Sequence, residues 1–120
     1  MTIMFYQTAE GVQSETAQSW TEVASKTGTL HDRANFLQLY AEYGGNIIDE
    51  HVGIRCLVNG VEQAFDYHTP KLAGQYKGFS TFGVIQPNVE ADYTISLEIR
   101  TLSPGQTVNI RRIRLSVTQE

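Results

Sequence analysis

Cysteine is nearly absent from this chain: Cys56 is the only one in 120 residues. A lone thiol has no partner for an intrachain disulfide, and no paired-cysteine spacing exists for a metal site. Set in an apolar alternating run, with no His or Asn pattern around it to activate it, Cys56 reads as a small core residue. Positive charge is also scarce. Nine Lys and Arg stand against thirteen Asp and Glu, a formal net charge of −4, which speaks against a binder of nucleic acid or of membrane surfaces, local patches aside. No apolar run approaches the roughly 20 residues of a membrane-spanning helix. The opening MTIMFYQTAEG has no basic n-region and no sustained apolar stretch, so a soluble product made without a secretion signal is expected. Repeats, low-complexity tracts and any sign of a second domain are missing too. A chain of this length forms one domain and buries roughly two-thirds of its unfolded surface, so it needs neither disulfide nor metal to hold together.

What the sequence does contain is a period of two. In HVGIRCLVNGVEQAFDYHTP, Val52, Ile54, Cys56 and Val58 alternate with Gly53, Arg55 and Leu57, and a second run follows from Val61 to Tyr67. Between them lies Asn59-Gly60, whose residues tolerate the positive φ of a type I′ turn, so a β-hairpin is predicted. Tyr93, Ile95, Leu97 and Ile99 alternate again, and Ser103-Pro104-Gly105-Gln106 then predicts a turn and a second hairpin.

The return strand, VNIRRIRLSV, carries three arginines in four positions. Its apolar residues change parity: Val108 and Ile110 are even, Ile113, Leu115 and Val117 odd. A strand with one buried face cannot do this without an extra residue, which places a β-bulge at Arg111-Arg112, with Arg111 taking the bulged position. Arg112 and Arg114 then face solvent, with Arg100 on the neighbouring strand and Glu98 or another carboxylate to pair with them. No aromatic side chains interleave with these arginines, as a single-strand nucleic-acid grip would require.

The segments Gln18 to Leu30 and Tyr76 to Ile85 are rich in Thr, Ser and aromatics and read as strands. ANFLQLYAEY fits either a strand or a short helix capped by Asp32; its strand-like neighbours favour the strand. Short strands with regularly spaced turns and no long helix predict an all-β fold, an antiparallel β-sandwich of jelly-roll type. Residues 16–120 form that domain, and residues 1–15 are expected to be an N-terminal arm, ordered on docking.

Chemistry-bearing patterns are weak. His31, His51 and His68 each neighbour a carboxylate, but no H-x-H or H-E-x-x-H spacing joins them. Asp49-Glu50 reads as a solvated turn. No nucleophile elbow or phosphate-cradling glycine loop is present. The expectation is a non-enzyme with no catalytic, cofactor or metal residues. Aromatic platforms for a glycan would come from Trp20, Tyr40, Tyr43, Tyr67 and Tyr76.

The stretch ADYTISLEIRTLSPGQTVNIRRIRLSV resembles the closing hairpin of small jelly-roll structural proteins of tailed-phage virions, and LVNGVE followed by YKGFSTFGV is similar to their middle strands. The resemblance spans about residues 15–118 and implies a virion structural protein. That would be a decoration or cement protein on the capsid lattice, or a domain of a neck or tail appendage, made in the host cytoplasm. It implies a homo-oligomer, a trimer being favoured, with the major capsid protein or another virion protein as partner. Contacts to such partners are expected at Arg100, Arg111, Arg112, Arg114 and Trp20. The alternative is a carbohydrate-binding β-sandwich module with a glycan as ligand.

Overall fold

The computed structural model describes residues 2–119, with side chains from residue 3. Among them lie nine strands and no helix: β1 (Thr2–Ala9), β2 (Gln13–Glu15), β3 (Thr21–Leu30), β4 (Asn35–Gly45), β5 (Val52–Val58), β6 (Val61–His68), β7 (Tyr76–Ile85), β8 (Ala91–Thr101) and β9 (Val108–Gln119). They form two antiparallel sheets, one ordered β1-β9-β4-β7 with the short β2 also on β9, the other β3-β8-β5-β6. This is a β-sandwich, and its eight long strands are wound as in a jelly roll.

Alternation builds the core. Leu37, Leu39, Ala41 and Tyr43 of β4 and Ile110, Ile113, Leu115 and Val117 of β9 point inward from the first sheet. They meet Ile54 and Cys56 of β5 and Ile95, Leu97 and Ile99 of β8 from the second. Each of the Leu, Ile and Val side chains among them contributes about 1.5–3 kcal/mol on full burial. The ambiguous ANFLQLYAEY is strand because its odd positions complete this layer. Burial pushes the Cys56 thiol up to about 11, which leaves it an unreactive core residue.

The β5–β6 hairpin turns at Asn59 (φ 49°) and Gly60 (φ 77°), with Val58 opposite Val61. The Asn59 side chain also accepts a hydrogen bond from the Thr94 amide at 2.8 Å, tying the turn to β8. Apart from its chain neighbours, no atom lies within 4 Å of a Cβ built at Gly60, so a substitution there tests backbone strain. Gly60→Val is expected to cost at least about 1 kcal/mol in urea denaturation. An unchanged midpoint would show that this φ is not required.

The parity change on β9 is a bulge. Arg111 lies opposite Glu42 and Arg114 opposite Tyr40, so Arg112 and Ile113 share the single position of Ala41. Ile110 and Ile113 are both buried. The extra residue is Arg112 rather than Arg111: Arg112 takes the left-handed conformation (φ 53°), and its amide donates to the Glu10 carbonyl.

Three expectations are corrected. Residues 2–15 are not a free arm: β1 runs along β9 from Thr2 opposite Gln119 to Ala9 opposite Ile113, β2 continues on β9, and Phe5 enters the core. Met1 lies outside the described residues. The Ser103–Gln106 turn does not close a second hairpin, because β8 pairs with β3 and β5 while β9 lies in the opposite sheet. A turn reverses the chain without deciding which sheet receives it. Arg100 therefore lies away from the β9 arginines, and Glu98 pairs with Arg55 (2.6 Å).

Candidate functional site

The outward side chains of the β1-β9-β4-β7 sheet stand in rows across the strands. One row is Tyr6, Ser116, Gln38 and Phe82, each opposite the next through the strand register. The adjacent row is Thr8, Arg114, Tyr40 and Ser80. Between the two rings at the ends of the first row lies a groove of about 650 Å³, lined by both rows. Tyr6 and Phe82 are 62% and 61% exposed, although each is a large apolar group. Three inter-strand spacings, about 14 Å, separate their backbones. Phe36, stacked on Phe82 with ring centroids 6.2 Å apart, steadies that wall. Two exposed rings flanking hydroxyl and amide groups can take an amphipathic ligand, with apolar surface against the rings and hydrogen-bonding groups to the floor.

A charged cluster closes one end of the groove. The Glu42 carboxylate accepts hydrogen bonds from the Tyr40 hydroxyl (2.7 Å), Arg111 Nε (2.8 Å) and an Arg112 guanidinium nitrogen (3.1 Å). The Arg111 guanidinium also covers the Tyr76 ring at 3.8 Å. Arg114 instead reaches Glu10 in the β1–β2 loop, Nε to carboxylate oxygen 3.0 Å. The Tyr40 hydrogen bond and then Arg111, helped by Arg112, hold the Glu42 carboxyl down at about 2. Because the folded-state value is depressed, the stabilisation is complete above the ordinary value of 4.5 and is lost as pH falls toward 2. Glu42→Gln is thus expected to melt below the parent protein at pH 7, with the gap closing between pH 4.5 and 2. A gap independent of pH would contradict this.

The expected contact residues divide between the two outer faces. Arg111, Arg112 and Arg114 lie beside the groove. Trp20 and Arg100 lie on the other sheet, where the Arg55 and Arg100 guanidinium carbons stand 4.6 and 5.5 Å from the Trp20 ring centre. Tyr67 joins Trp20 there, 6.5 Å between centroids, and Phe65 adjoins Tyr67 at 5.8 Å. A Cβ at Gly53 would come within 2.8 Å of Tyr67 and 3.2 Å of Trp20, so the glycine lets both rings settle onto β5. These rings are inclined at 38° and 62° to one another and make no flat platform. Of the other proposed platforms, Tyr43 is fully buried, its hydroxyl bonded to Asp66 at 2.6 Å; Tyr40 lines the groove; and Tyr76 lies under Arg111.

Tyr6, Gln38, Phe82 and Ser116 were missed as site residues. A signal existed for Phe82: Phe79 and Phe82 have opposite parity on β7, so with Phe79 in the core Phe82 must face out. The histidines are dispersed. His31 pairs with Glu90, His51 bonds Thr69, and His68 packs edge-on against Tyr43, with burial lowering its pKa. No cluster of three or more metal-ligating side chains occurs among the described residues.

No protein-family model and no curated protein matches the sequence. Among solved structures, the chain is similar to the CBM36-1 domain of a multidomain xylanase from the hindgut metagenome of Trinervitermes trinervoides. The TM-score is 0.52 at 10% identity, over 97% of this chain and 98% of that domain. Latent PorU from Porphyromonas gingivalis gives a TM-score of 0.46 at 12% identity, over 97% of this chain and 13% of that one. A Bacteroides thetaiotaomicron protein described as sugar-binding gives 0.44 at 9% identity, over 93% of this chain and 87% of that one. The last two similarities are too loose to add to the first, and the first shows a shared β-sandwich fold.

Proposed function

We propose that this protein is a non-catalytic carbohydrate-binding module that takes a glycan across the groove between Tyr6 and Phe82. The observation that carries this reading is the row Tyr6–Ser116–Gln38–Phe82: two exposed rings with polar groups between them in a groove of about 650 Å³. Sugar rings present apolar C–H faces and a rim of hydroxyls, which match rings at the walls and a polar floor. The carboxylates beside the groove support binding over catalysis. Glu42, bonded by Tyr40, Arg111 and Arg112, is held ionised instead of being poised as a proton donor, and Glu10 is engaged by Arg114. The same fold occurring in a xylanase domain supports the reading by analogy alone.

The test is a glycan array followed by calorimetric titration of the best oligosaccharide. Tyr6→Ala and Phe82→Ala, both at exposed positions, should each weaken binding by about tenfold while leaving the protein folded in thermal melts. Undiminished binding by the double variant would remove the groove as the site. A protein that binds no glycan but forms stable oligomers would favour the virion structural role instead.

A further inference from the structure

Three arginines stand at one end of the groove, but their partners differ in kind. Glu42 is committed: its side chain is only 16% exposed and is bonded at once by Tyr40, Arg111 and Arg112. Arg114 is the one of the three that lines the groove itself. It stands next to Tyr40, one row from the Ser116–Gln38 floor, about 7 Å along the strands. Its partner, Glu10, is reached through two contacts, Nε to Oε1 at 3.0 Å and a terminal nitrogen to Oε2 at 3.4 Å. Both side chains are 57% exposed. Glu10 belongs to the β1–β2 loop, next to Gly11, around which nothing stands within 4 Å of a built Cβ.

An ion pair this exposed is weak, and its carboxylate is on an open loop, so it can be exchanged. Arg114 thus presents a two-point carboxylate-binding fork at the end of a glycan-sized groove, with one of the chain's own carboxylates resting on it. We infer that Arg114 is the anionic subsite of the groove and that the preferred ligand is a uronic-acid-bearing glycan whose carboxylate displaces Glu10. This rests on the glycan-binding reading and assigns its ligand class. In the bound state the sugar lies between Tyr6 and Phe82, its carboxylate accepts the Arg114 hydrogen bonds, and Glu10 swings out to solvent. Glu10 is a built-in competitor that lowers affinity for acidic chains and leaves neutral ones untouched.

The two side chains therefore have opposite effects, which a purely structural ion pair would not produce. The experiment titrates the full chain with a uronate oligosaccharide, with the same oligosaccharide after reduction of its carboxyl groups, and with a sulfated oligosaccharide. The wild type should bind the uronate form about tenfold more tightly than the reduced form. Arg114→Gln should make the uronate and reduced forms bind alike, and Glu10→Gln should raise the ratio of uronate to reduced-form affinity about threefold. Thermal melts of both variants establish that they remain folded. Equal affinity for uronate and reduced forms overturns the subsite and leaves the glycan reading intact. So does a preference for the sulfated form, or a loss of uronate affinity in Glu10→Gln. Binding of none of the three, nor of any glycan on the array, removes both.

Discussion

Deletion of Ile113 should abolish folding, whereas deletion of its neighbour Arg112 should leave a folded protein. The two residues share the position opposite Ala41, and only one of them faces the core. Without Arg112, the strand reads Ile110 inward, Arg111 outward, Ile113 inward, Arg114 outward, which is an uninterrupted alternation. The losses are the Arg112–Glu42 contact, which is weak at this half-exposed position, and one backbone hydrogen bond to Glu10. Relief of the left-handed conformation of Arg112, about 1 kcal/mol, offsets them in part. Without Ile113, either Arg112 or Arg114 must enter the apolar layer beside Ile110 and Leu115. An unpaired buried charge costs at least several kcal/mol, against a total stability of about 5–15 kcal/mol for a domain. Circular dichroism and urea melts of the two deletions read the difference. Comparable stability in both would refute the bulge account.

Gln106→Leu should cost about 3 kcal/mol or more, unusually large for the replacement of one neutral side chain by another of similar size. Gln106 is fully buried and holds the loop from β4 to β5 by four hydrogen bonds to its backbone, with a fifth to the following amide of Thr107. Its carbonyl oxygen accepts from the amides of Asn46 (3.0 Å), Ile47 (2.9 Å) and Thr107 (3.1 Å). Its amide nitrogen donates to the carbonyls of Ile47 and Glu50, both at 2.9 Å. Leucine fills the space but leaves those groups to find water or stay unpaired. Gly45 is part of the same device, since a Cβ there would come within 2.6 Å of the Gln106 side-chain nitrogen. The denaturation midpoint should fall sharply, with native-state hydrogen exchange accelerating first at Asn46 and Ile47. A change below about 1 kcal/mol would mean that water replaces the staple freely.

Local features of the sequence were legible because they obey short-range rules. The Asn59-Gly60 turn and the parity change between Ile110 and Ile113 each follow from backbone geometry over a few residues, and both are present in the fold. The errors lie where the answer depends on which strands become neighbours. Ser103–Gln106 looks like a hairpin turn, yet β8 and β9 join different sheets, so Arg100 and Glu98 lie far from the arginines they were expected to meet. The opening residues looked weakly patterned because Met4, Phe5 and Tyr6 are consecutive apolar residues, and a register shift between Ile3 and Phe5 breaks the alternation of β1. The groove was hidden for the same reason. Tyr6, Gln38, Phe82 and Ser116 come from four strands spread over most of the chain and become one row only once the order β1-β9-β4-β7 exists. Of the aromatics suggested as platforms, Tyr43 is buried in the core, whereas Trp20 and Tyr67 share the opposite face as rings inclined at 38°, with two arginines over Trp20.

The central claim is that a glycan occupies the outer face of the β1-β9-β4-β7 sheet, and chemical-shift mapping during an oligosaccharide titration tests it most directly. The account predicts perturbations concentrated at Tyr6, Gln38, Phe82, Arg114 and Ser116, including the Gln38 side-chain amide, with the opposite face unchanged. Perturbations centred instead on Trp20, Phe65 and Tyr67, or none at saturating oligosaccharide, would contradict it.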